Sequence, residues 1–207
     1  MDLLGLTIHD PDVAFTDLGL ALLAGYFAVR LGRTAGGILM AALASAAFWG
    51  AVYHGLFPSG ITTLAGLLLW FGVLASIVLA AATLVTVSLR VLVPRLPGNI
   101  QWVVVGLYAA AFAAVVFLVD HSFGMVVRFY GPALGLFLLV AAARAARTRD
   151  AGWTLLAAGM VMSVVAALVQ QFKVVLHPVY FDHNALYHVV QGGALVLMYL
   201  GFRRAPG

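Results

Sequence analysis

The sequence predicts an all-α polytopic membrane protein of seven transmembrane helices, with the amino terminus outside and the carboxyl terminus in the cytoplasm. Three observations predict it. Hydrophobic residues make up 64% and charged residues 9% of the 207-residue chain, against about 25% charged in an ordinary soluble domain. Seven apolar stretches reach the length of about 20 helical residues that a bilayer core requires. Basic residues recur on alternate connections, as the positive-inside rule requires.

Taken in order, span 1 covers roughly residues 13–31 and carries Asp17, Ala21, Ala24 and Ala28 at helical spacing. The turn "LGRTAGG" leads to span 2, 35–57, where Ala46, Gly50 and His54 recur every four residues. After "FPSG", span 3, 63–89, contains no acid. The turn "RVLVPRLPGN" precedes span 4, 101–119. Span 5, 123–143, holds Arg128 and a Gly131-Pro132 step expected to kink it. Beyond "ARAARTRDAG", span 6, 152–172, aligns Gly159, Ser163, Ala166 and Gln170. Span 7, 184–202, opens with the polar run "HNALYHVVQGG". No linker is long enough to divide this single domain. Trp102 and Trp153 at inner ends, with Trp49 and Tyr53 at an outer end, are expected in the aromatic belts.

Arg30, Arg33, Arg90, Arg95, Arg144, Arg147, Arg149, Arg203 and Arg204 all fall on one side of these spans, which is thereby assigned to the cytoplasm. Basic residues spread singly between apolar runs do not make a nucleic-acid face. The amino end, "MDLLGLTIHDPD", has no positive n-region and is expected to be retained. The absence of cysteine excludes disulfides, thiolate metal sites and a cysteine nucleophile. No G-x-S-x-G, Walker or dinucleotide fingerprint is present, and span 7 has no lysine for a retinal Schiff base.

The opposite, outer side collects all six histidines and every aspartate except Asp150. Polar side chains within spans are expected to face protein or a water-filled cavity, and here they continue the small-residue stripes along which membrane helices pack. His54 and His188 share a depth and form a natural pair of metal ligands. Zinc takes about four nitrogen or oxygen ligands, three from protein in a catalytic site, and the third is His183 or His121. His183 differs from His188 by about 140° around a regular helix, so it joins only if Asn184 caps the helix and His183 precedes it.

Seven spans, a histidine late in span 2 ("FWGAVYHGLF") and the start of span 7 resemble the CREST superfamily of membrane hydrolases, which includes the alkaline ceramidases and the progestin and adipoQ receptors. The resemblance implies an intramembrane zinc held by one span-2 histidine and an H-x-x-x-H pair in span 7, with a serine one turn before the first histidine and an aspartate in span 3. Here Asn184 occupies the first position of that pair, beside His183, and Gly50 stands at the serine position. Asp17, Asp120 or Asp182 is then the source of the carboxylate that orients an imidazole or takes a proton from bound water.

Arg128 is expected to point inward or snorkel, as an anchor for a substrate carboxylate or phosphate or as a partner of Asp120. Gln170, Gln171, Gln191 and Asn184 are interhelical hydrogen-bonding or cavity-lining groups. The leading expectation is a zinc-dependent hydrolase of lipid amides or related lipids, in a bacterial or archaeal plasma membrane, with membrane lipid as substrate, no nucleic-acid partner and its site toward the outer face. The alternatives are a non-catalytic receptor-like protein or complex subunit, and a b-haem electron carrier using two histidines as axial ligands.

Overall fold

A computed structural model describes residues 1–3, 6–57, 60–177 and 181–205. Seven helices fill them: α1 Pro11–Leu31, α2 Ala35–Leu56, α3 Leu64–Leu92, α4 Gly98–Leu118, α5 Phe123–Thr148, α6 Ala151–Gln171 and α7 His183–Arg204. All seven are long and apolar enough to cross a membrane. A two-residue antiparallel ladder, β1 Asp2–Leu3 with β2 Leu6–Thr7, precedes them, and a single 3-10 turn covers Gly60–Thr62.

Local chemistry explains the helix boundaries. Pro11 opens α1, where a missing N–H costs nothing. The Thr34, Thr63, Ser122, Asp150 and Asp182 side chains cap α2, α3, α5, α6 and α7 by accepting first-turn N–H bonds. Arg30, Arg90, Arg147, Arg203 and Arg204 occupy last turns, where they complement the exposed carbonyls. Two helices outrun the apolar stretches that mark them. α3 reaches Leu92 and α5 reaches Thr148, because arginines tolerated at a helix C-terminus do not stop it. α5 ends at Arg149, in the left-handed conformation with φ 54°, and it runs unbroken through Pro132.

Six helices close a ring in the order α1, α2, α3, α5, α6, α7, with α7 returning to α1, while α4 stands outside against α3. Phe112, Phe137, Leu39, Met40, Leu74, Leu84 and Leu195 are fully buried between them. The outward faces are apolar, as with Leu22, Val29, Leu107 and Leu139, which suits lipid as the surrounding solvent.

Contacts between helix ends give the bundle two distinct poles. At one, His9 N–H donates to the Gly55 carbonyl, Asp182 N–H to Asp12 Oδ2, Gln170 Nε2 to Asn184 Oδ1, and Trp70 Nε1 to the His121 carbonyl. At the other, Gly36 lies against Phe202, and Gly152 against the Arg204–Ala205 backbone. The first pole holds the histidines and most of the aspartates. The second holds nine arginines, all exposed. Trp153 departs from the belt expectation. It is 5% exposed, within the core between α5, α6 and α7, because the neighbouring Gly152 lets α6 close on α7.

Candidate functional site

Two consecutive residues of α1, Thr16 and Asp17, project about 100° apart and grip one imidazole from α7. His188 Nε2 lies 3.1 Å from Asp17 Oδ1, and His188 Nδ1 lies 3.0 Å from Thr16 Oγ1. Asp17 is 5% and His188 8% exposed. A carboxylate this deep needs a specific partner, since burying it unpaired costs several kcal/mol. The third wall is α2. A Cβ at Gly50 would stand 2.7 Å from Asp17 Oδ2 and 3.2 Å from its Cγ, so the lack of a side chain at residue 50 is what admits the carboxylate.

The proton count follows from the partners. Thr16 Oγ1 is also 2.7 Å from the Asp12 carbonyl and 3.0 Å from that of Val13. A hydroxyl carries one proton. If it goes to those carbonyls, His188 Nδ1 donates to Oγ1, and the Nε2–Oδ1 bond needs its own proton, shared between carboxyl and imidazole. If instead Thr16 donates to Nδ1, then Nε2–H donates to an ionised Asp17. Every arrangement holds one proton between Nε2 and Oδ1.

This network forms the wall of a cleft of about 300 Å³ between α1 and α7, lined by Thr16, Gly19, Leu20 and Leu23 on one side and His188, Val189 and Gly192 on the other. Gly19 and Val189 are exposed, so the cleft opens on the outer flank of the bundle. At about 1.5 Å per residue, Thr16 and His188 lie about 7.5 Å below the histidine pole, and Leu23 about 18 Å below it.

The remaining candidate residues separate. His54 lies within electrostatic reach of His188, Asp10 and Asp182. His183 does not curl back toward His188, because the cap is Asp182, whose Oδ1 accepts from the Asn184 and Ala185 N–H groups at 2.8 and 2.9 Å. Asn184 is therefore inside the helix rather than its cap, and His183 Nδ1 rests 3.7 Å from Asp182 Oδ2. His121 Nδ1 is 2.6 Å from the Val116 carbonyl, and its ring meets Phe71 edge-on. Asp120 accepts from Ser122 N–H at 2.8 Å, a bond that holds its carboxyl below the usual carboxylate range. Gln191 donates to Ser163 Oγ at 3.1 Å, and Gln170 and Asn184 bond each other, so these polar groups stitch α6 to α7. Arg128 is exposed, within electrostatic reach of Asp120. Of the three aspartates, Asp17 is the one at the imidazole.

Among the described residues, no three His, Cys, Asp or Glu side chains converge to hold a metal ion. Both nitrogens of His188 already have protein partners, so the residues as arranged do not fit the expected zinc site. An axial haem bond would likewise have to displace Thr16 or Asp17. Thr16 is the residue that sequence reasoning missed; its signal was a hydroxyl directly preceding a buried acid in an apolar span.

The chain belongs to DUF6962, a family of unknown function, whose family model matches residues 13–206. No curated protein and no solved structure matches it.

Proposed function

For this DUF6962 member we propose an intramembrane acyl-transfer function: hydrolysis of an ester or amide bond in a membrane lipid whose chain lies in the α1/α7 cleft. One observation carries the reading. A hydroxyl, an imidazole and a carboxylate follow one another at hydrogen-bond distance, and the hydroxyl lines an apolar cleft open to the bundle's flank. This is the nucleophile, base and orienting group that covalent catalysis requires. Either Thr16 Oγ1 attacks the lipid carbonyl, expelling the alcohol or amine and forming an acyl ester that water then cleaves to free the acid, or a water in its place attacks the carbonyl directly. His188 takes the attacking proton through Nδ1 and returns it to the leaving group, and Asp17 holds the ring and balances the charge it acquires. Leu20, Leu23 and Gly192 receive the acyl chain below.

Purified protein in nanodiscs, incubated with a defined set of ester- and amide-linked lipids, tests this. His188→Ala is expected to lower turnover at least about 100-fold, the scale of general acid–base catalysis, with Thr16→Ser retaining more activity than Thr16→Ala. Turnover unchanged in His188→Ala removes the reading. Lipid bound without turnover by wild type favours a non-catalytic lipid receptor or complex subunit.

A zinc-dependent hydrolase is the second reading, favoured by His54 lying within electrostatic reach of His188. It requires His54 and His183 to rearrange toward a common ion, and metal analysis of the purified protein decides it. In either reading we place the histidine pole outside and the arginine pole in the cytoplasm, following the charge asymmetry.

A further inference from the structure

We propose that the arginine pole carries a binding site for the phosphate of an anionic membrane lipid, formed by Arg203 and Arg204 at the end of α7 beside the start of α6. Nothing in the acyl-transfer site depends on it.

Three observations support this. First, a cleft of about 160 Å³ is lined by Leu200, Arg203 and Arg204, and both guanidinium groups are exposed. Second, the charge at this pole is unbalanced. Nine arginines share it with one acid, Asp150, whose Oδ1 already accepts from Trp153 N–H at 3.0 Å. The ion pairs among the described residues both involve histidines at the other pole. Third, Arg203 is held in place. Its Nη1 donates to Tyr199 Oη at 3.4 Å, and its guanidinium lies 5.6 Å from the Tyr199 ring centroid. Such pre-orientation lowers the entropy lost when the guanidinium fork meets a phosphate.

The lipid, rather than free phosphate, is the occupant because of what lies beneath. Val196, Leu200 and Arg203 follow one face of α7 at helical spacing, and Val196 is 37% exposed. A headgroup on the arginines therefore sets its acyl chain along an apolar stripe that faces out of the bundle. Basic pockets at helix ends on the cytoplasmic side take anionic headgroups in this way.

Native mass spectrometry of the detergent-solubilised full chain, titrated with phosphatidylglycerol, phosphatidylcholine or soluble glycerophosphate, tests the site. Phosphatidylglycerol is expected to form a one-to-one adduct at least tenfold more tightly than phosphatidylcholine, and the Arg203→Ala/Arg204→Ala double variant is expected to lose that preference. The Arg90→Ala/Arg95→Ala variant removes the same charge from the same pole and is expected to keep it. Because all four side chains are exposed, folding is checked for each variant by its thermal unfolding. Equal loss in the two double variants shows diffuse attraction and overturns the site. Retention in Arg203→Ala/Arg204→Ala, or equal binding of glycerophosphate, also overturns it.

Discussion

His188 is held by two neighbours on α1, and the space for one of them is supplied by a residue that has no side chain. Gly50→Ala places a carbon 2.7 Å from Asp17 Oδ2, and the expected cost is about 1–3 kcal/mol, the range for overpacking. In an Asp17→Ala background that cost is expected to vanish. Thermal unfolding of the two single variants and the double variant in one detergent measures the coupling; additive effects would show that Asp17 does not occupy this space. Asp120 behaves differently, being half-buried in the α4–α5 turn. Its carboxyl is lowered by the Ser122 N–H bond, then by the Ser122 side chain. A depressed carboxyl contributes stability above its unfolded pKa of about 3.9, and that contribution is lost as pH falls through the lower folded value. The stability difference between Asp120→Asn and wild type should therefore narrow only below about pH 4, as followed by unfolding while the pH is lowered from about 6.

At the scale of elements, α6 and α7 pack through glycines. A Cβ on Gly159 would stand 2.6 Å from Met198 Cγ and 2.9 Å from the Ala194 carbonyl, whereas one on Gly106 in α4 meets nothing within 4 Å. Gly159→Ala is expected to destabilise by about 1–3 kcal/mol, and Gly106→Ala to be neutral or stabilising by up to about 1 kcal/mol through helix propensity. Equal responses would contradict the α6/α7 packing. Elements of this kind were largely legible in the sequence. Apolar length located all seven helices, and small-residue stripes identified the inward face of α1, where Asp17, Ala21 and Ala24 are buried. The pairing of Asp17 with His188 was not legible, because periodicity tells which face of a helix turns inward but not which helix it meets. Here the first and last helices meet. The start of α7 is legible only up to a choice between two capping residues: Asp182 and Asn184 both suit the role, and the earlier one takes it.

The whole molecule is a closed ring of six helices with one helix outside it, and its two poles differ in charge. The proposed orientation rests on that asymmetry, and the lack of native cysteine makes it simple to test. Single variants Val175→Cys at the histidine pole and Arg147→Cys at the arginine pole, in intact cells, should react and not react, respectively, with an impermeant maleimide. The reverse pattern would put the candidate site on the cytoplasmic side. At this scale the seam between α1 and α7 matters most, since it both completes the ring and opens toward the flank. The most direct test is photocrosslinking in nanodiscs with a lipid carrying a diazirine midway along its acyl chain. Adducts are expected to concentrate on Leu20, Leu23 and Val189, and to fall at least fivefold (roughly 1 kcal/mol) in Gly192→Leu, whose added side chain would fill the cleft beside Leu20 and Leu23. Adducts spread evenly around the bundle and unchanged by Gly192→Leu would contradict the claim that a lipid enters there to meet His188.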